Sequence, residues 1–146
     1  MENAKEILCA ICGAAGGAVA WALGGWDHYL ISLLLLMGLD IFLAVLAAAT
    51  FHTSKKTASG KVSSRAFAKG FAMKLATLAM LAVAHVIDYL LGVSYVRDAV
   101  AIGFCVNEVI SICETWSLTG YHVPTVITKV LDILNQMAEV FGGDLK

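Results

Sequence analysis

An all-α integral membrane protein, one membrane domain of about four transmembrane helices plus a C-terminal amphipathic helix, is the fold class that the sequence predicts. Three observations predict it. Of 146 residues, 60% are hydrophobic and only 14% charged, whereas a soluble domain carries roughly a quarter charged residues. The apolar residues come in long runs that a single core of this size could not hide, and a bilayer can. No run alternates apolar and polar residues as the roughly ten-residue strands of a membrane barrel do.

The elements follow in order. Residues 7–24 form a first apolar stretch behind a head in which Glu2 and Glu6 outnumber Lys5. A cleaved signal peptide wants a positive head, so a retained helix is expected. Gly13 and Gly17 make a GxxxG motif, and Ala10, Ala14, Ala18 and Ala22 continue a line of small residues four apart. Such a face lets two helix backbones approach closely, in self-association or against a neighbouring span. Gly24-Gly25-Trp26-Asp27-His28 reads as a tight turn. Residues 29–51 then supply a second stretch, long enough to cross a hydrocarbon core of roughly 30 Å.

Residues 52–70 read as a basic, Ser/Thr-rich loop holding Lys55, Lys56, Lys61, Arg65 and Lys69. With Lys74 these are six of the ten basic residues, and no acidic residue occurs between Asp40 and Asp88. A third span is expected at 71–91 and a fourth at 99–118, the latter carrying Asn107, Glu108 and Glu114. After Gly120, Pro124 suits a first helical turn. Val123, Ile127, Val130, Leu131, Leu134, Met137 and Phe141 then recur at spacings of three or four, so 124–141 is predicted to be an amphipathic helix lying on the membrane or packing on another copy.

Basic loops favour the cytoplasm, so loop 52–70 is expected inside and four spans place both termini there too. Trp21, Trp26, Tyr29, Tyr89 and Tyr95 then fall at the outer interface. Phe51, Phe67, Phe71, Trp116 and Tyr121 fall at the inner one.

Charged side chains inside a bilayer cost about 2.5–3.5 kcal/mol each even on gentle scales, so they face helices, partners or water. Asp40, His85, Asp88, Asn107, Glu108 and Glu114 are therefore the intramembrane candidates for a trigger or pore lining, with structural hydrogen bonding as the plainer role. Counting residues from the turns puts Asp40, Leu81 and Glu108 at one depth and Lys74 level with Glu114. That count predicts a Lys74–Glu114 ion pair, or Lys74 snorkelling to the inner surface, and no cation beside Asp40 and Glu108. His85 and Asp88, three apart on one helix face, suit a hydrogen bond or a structural cap reaching Arg97.

Several functions are disfavoured. The basic run lacks the stacking aromatics and groove-reading motif of a nucleic-acid site. Cys9-Ala-Ile-Cys12 has no second ligand pair, and Cys105 and Cys113 sit in apolar runs, so neither redox nor metal chemistry is expected. No phosphate loop or nucleophile–base pair is present. Neither an enzyme nor a cofactor is expected.

From Leu39 to Met137 the chain resembles the toxin-secretion/phage-lysis holin family. Leu39-Asp40 stands where that family carries an LDxxTG-like motif. Ser63-Ser64, Phe67, Lys69-Gly70 and Lys74 resemble its SSxxxFxKG loop and lysine. Ala84-His85 with Asp88, Arg97, Asn107-Glu108 with Ser111-Ile112 and Glu114, and Gly120 with Pro124 follow in the family's order. Leu43 and Ala44 replace its Thr-Gly, and Thr115 stands where Asn often follows the glutamate.

The resemblance implies a homo-oligomer in the bacterial inner membrane that opens a lesion, with an endolysin or toxin as released cargo. A small ion- or proton-coupled channel or transporter using Asp40 and Glu108, and a structural subunit that anchors a partner, are the alternatives.

Overall fold

The computed structural model describes residues 2–51 and 64–142. They form five α-helices: α1 (Glu2–Ala22), α2 (His28–Leu46), α3 (Ser64–Leu91), α4 (Val96–Leu118) and α5 (Thr125–Gly142). The last turn of the second apolar stretch, Ala47–Phe51, widens into a π-helix.

Each boundary has a local cause. Gly24 and Gly25 adopt positive φ, which ends α1 and turns the chain. Asp27 stands in extended conformation before α2, and its carboxylate accepts the Leu30 N–H at 2.9 Å, satisfying one of the orphan donors of a helix start. Gly92 and Gly120, also at positive φ, end α3 and α4.

One boundary differs from the sequence reading. Helix α3 begins at Ser64, so Ser64–Gly70, expected as part of the loop, is helical and carries Arg65 and Lys69 on its first two turns. Arg65, Ala66, Ala68 and Lys69 are good helix formers, and a helix needs no apolar face where it leaves the bilayer. Lys55, Lys56 and Lys61 lie outside the described residues.

Helices α2, α3 and α4 make the bundle, with α4 packed against both α2 and α3. Leu23, Leu30, Leu33, Met37, Leu81 and Ala101 form its core. The outside is the more apolar surface: Leu35, Phe42, Met73, Leu90 and many similar side chains are exposed. That inversion is the mark of a bundle whose solvent is lipid, where close packing rather than water exclusion holds helices together.

Among the described residues, three helical stretches are long and apolar enough to cross a membrane: α1, α2 with its π-turn, and α3. Helix α4, expected as a fourth, has the length but carries Arg97, Asp98, Glu108 and Glu114. Helix α1 stands apart from the bundle, exposed along its length up to Ala20. A methyl group added at Gly13, Gly16 or Gly17 would meet no atom within 4 Å, so among the described residues these glycines have no neighbour on that face.

A buried charge triad as candidate functional site

One charged residue from each bundle helix converges at a single point. The Lys74 ammonium on α3 lies 3.0 Å from Asp40 Oδ2 on α2 and donates a short hydrogen bond to Glu108 Oε2 on α4. The three side chains are about nine-tenths buried or more. One cation thus serves two carboxylates and joins three helices.

This corrects the expected depth assignment. The structure gives Lys74 the partners Asp40 and Glu108, where pairing with Glu114 was predicted and no cation was expected at their level. A count from the turns misplaces Lys74. The true reference is the layer where Asp27, Asp88 and Arg97 meet, from which Asp40, Lys74 and Glu108 lie thirteen, fourteen and eleven residues away. At about 1.5 Å per residue these are similar depths of roughly 16–21 Å, and the flexible stem of lysine covers the remainder.

Beside the triad lies a cleft of about 440 Å³, lined by Asp40, Lys74 and Glu108 together with Thr77, Asn107 and Ser111, and extending along α3 past Met73, Gly70, Lys69 and Ala66. Asn107 is exposed there. Gly70 and Ala66, one helical turn apart, leave the space because they carry almost no side chain. Glu114 lies further along α4, exposed.

The opposite end of the bundle is held by a second polar cluster. Asp88, near the end of α3, accepts the backbone N–H groups of Val96 and Arg97 at 3.0 and 2.9 Å and so caps α4 across the connector. The Arg97 side chain, itself buried, donates to the Leu23 carbonyl at 2.6 Å, to both oxygens of Asp27 and to Asp98 at 3.2 Å. The bidentate hydrogen bond from Arg97, helped by the Leu30 cap, holds the Asp27 carboxyl down at about 2. His85 is close by: a Cβ on Gly24 would sit 2.9 Å from its Nδ1 and 2.5 Å from Arg97 Nε.

Sequence reasoning singled out Asp88 and its reach towards Arg97 but missed Asp27. The signal was available, since an aspartate immediately before an apolar helix is an N-cap signature.

Over residues 17–136 the chain matches the profile of the bacteriophage holin family. It belongs to that family. Among relatives of this holin-family chain, an uncharacterized protein of Listeria monocytogenes is 40% identical over 77 residues, 52% of this chain and 55% of the relative. An uncharacterized protein of Listeria innocua matches to the same extent, so the chain spans about half the length of these curated Listeria relatives. An uncharacterized 14.9 kDa protein of Clostridium perfringens is 31% identical over 137 residues, 92% of this chain and 98% of its own. No solved structure matches. The holin profile takes in the triad, the cleft and the Asp27–Arg97 cluster, and leaves most of α1 outside. The protein is thus a membrane protein of the holin family.

Proposed function

We propose that the chain is a holin: it accumulates in the bacterial inner membrane, self-associates, and opens a lesion through which an endolysin or a toxin leaves. The observation that carries this reading is family membership over residues 17–136. The geometry supports it in two ways. Helix α1 holds a GxxxG face with no partner among the described residues, available to another copy. Ionised groups are gathered inside a bundle whose exterior is apolar, which is costly in lipid and useful where water will enter.

In this reading α4 is the fourth span. Its 23 residues rise about 35 Å, enough for a roughly 30 Å core, and two of the groups that lower its hydropathy are held, Glu108 by Lys74 in mid-helix and Arg97 by Asp27 and Asp88 at one end. Both termini are then cytoplasmic, with α5 as an amphipathic helix at the inner surface, near the Trp116–Tyr121 ring pair.

Inducible expression in a bacterial host, with membrane potential and escape of a cytosolic reporter enzyme followed together, tests the proposal. Abrupt loss of both after a delay, retimed by Asp40→Asn or Glu108→Gln, is expected. Stable potential with retained reporter at high membrane expression would overturn it in favour of an anchoring subunit. Depolarisation without reporter escape would favour a small channel, the reading that the polar cleft supports second.

A further inference from the structure

The bundle is divided across its depth. The bundle's leucine-rich cluster lies on one side of the triad: Leu30, Leu33 and Met37 precede Asp40, Leu81 follows Lys74, and Ala101 precedes Glu108, while on the other side Ala47, Ala48 and Thr115 are buried where the π-turn meets α4. The leucine-rich cluster is therefore between the triad and the Arg97 cluster. Leu30, Leu33 and Leu81 are fully buried there. On the other side of the triad the space between α3 and α4 is the polar cleft.

We propose that this cleft is a one-sided aqueous vestibule: it admits water and small cations from the end of the bundle where α2 finishes and α3 begins, and it stops at the triad, beyond which the leucine core seals the path. Three observations argue for it. The cleft's volume corresponds to on the order of ten waters. Beside Ala66, Gly70 and Met73, its wall supplies hydroxyl, amide and charged groups from Lys69, Ser111, Asn107, Thr77, Asp40 and Glu108, whereas a dry cavity is lined by apolar groups throughout. Its floor holds two carboxylates and one ammonium, a formal charge of −1 when all are ionised that Lys69 offsets over the lining as a whole, so the attraction for a small cation is local to the floor.

The inference rests on the membrane reading of the fold and deepens the holin proposal. It places the barrier of the closed protein in the outer half of the bundle alone. Water already reaches mid-depth, and the part left to open is the short apolar seal.

The test is sidedness of thiol labelling in membranes of the resting, full-length protein. Cys9, Cys12, Cys105 and Cys113 are replaced by alanine, and single cysteines are introduced as Thr77→Cys, Ser111→Cys and Leu33→Cys. Ser64→Cys, exposed at the start of α3, marks the side of the vestibule mouth. Inside-out and right-side-out vesicles receive a small cationic methanethiosulfonate that does not cross the bilayer.

Thr77→Cys and Ser111→Cys are expected to react at least tenfold faster from the Ser64 side, and Leu33→Cys from neither. Ala66→Leu, which fills the cleft near its mouth, is expected to slow Thr77→Cys tenfold without slowing Ser64→Cys. Thr77→Cys that is inert from both sides, or labelled equally from both, would overturn the vestibule, as would unchanged labelling with Ala66→Leu. The readout precedes any lesion, so reporter escape can fail while labelling succeeds, and the reverse.

Discussion

Removing the ammonium from the triad is the perturbation with the largest expected effect. Lys74→Met keeps most of the side-chain length and deletes the charge, leaving Asp40 and Glu108 buried without their shared cation. At the 3.0 Å separation of Lys74 from Asp40, a pair interacts with about 5 kcal/mol at an effective dielectric constant of about 20. Desolvation offsets much of that in the intact triad. In the variant the desolvation cost persists while the attraction is gone, and breaking a buried pair by removing one partner costs about 3–5 kcal/mol.

Unfolding of purified protein in detergent micelles, followed by circular dichroism against added denaturing surfactant, would measure the loss. Glu108→Gln alone leaves a neutral Lys74–Asp40 pair and is expected to cost less than about 2 kcal/mol. Lys74→Met combined with Asp40→Asn and Glu108→Gln removes every charge and should recover most of the stability lost in Lys74→Met. If Lys74→Met matched the parent within about 0.5 kcal/mol, or if the neutral triple variant were no better than Lys74→Met, the triad would not be the electrostatic unit described.

Other expectations concern the opposite end of the bundle. Because Arg97 holds the Asp27 carboxyl at about 2 against an ordinary 3.8, the stabilisation from this pair is complete above the ordinary value and lost as pH falls from about 4 to about 2. The thermal midpoint in detergent should fall across that window, and less steeply in Asp27→Asn. Asp88→Ala removes the acceptor of two backbone N–H groups at the start of α4 and should cost about 1–3 kcal/mol, read by the same unfolding assay and by faster amide exchange at Val96 and Arg97. Gly24→Ala is expected to cost about 2 kcal/mol or more because its methyl would collide with Arg97 as well as strain a positive φ, whereas Gly25→Ala bears only the strain, about 1 kcal/mol. Equal losses at the two glycines would remove Arg97 from that explanation.

Much of this architecture was legible in the sequence because lipid imposes a simple grammar of long apolar runs, short turns and few charges. The second helix with its π-turn starts within a residue of the expected place, and Gly24–Gly25 ends the first helix where the turn was read. What composition could not supply was lateral arrangement. The apolar run of α1 reads like that of α3, yet α3 packs in the bundle while α1 is exposed along its length up to Ala20. Lys74 shows the same limit along the membrane normal. Its partners depend on which residues of neighbouring helices share a level, and that is fixed by the Asp27–Arg97–Asp88 junction, not by where hydropathy rises and falls. Ser64–Gly70 reads as loop for a different reason: its charges and Gly70 interrupt the apolar run, although a helix leaving the bilayer needs no continuous apolar face.

The two polar layers are unequal, and the inequality bears on how such a bundle would come apart. At the Arg97 end, side chains bind backbone: Asp88 holds two amides, and Arg97 holds a carbonyl of the turn between α1 and α2. These bonds fix chain ends to one another, and separating the helices there would strand backbone groups in lipid, at several kcal/mol for each group. At the triad, three side chains meet one another, Lys74 hydrogen-bonded to Glu108 and paired with Asp40. Water entering beside them replaces the lost interactions with hydration, so the cost of parting the helices falls as the cleft fills. The helices are therefore expected to separate from the triad end while the Arg97 end stays joined, a splaying about a hinge that keeps each chain a unit as neighbouring copies move apart.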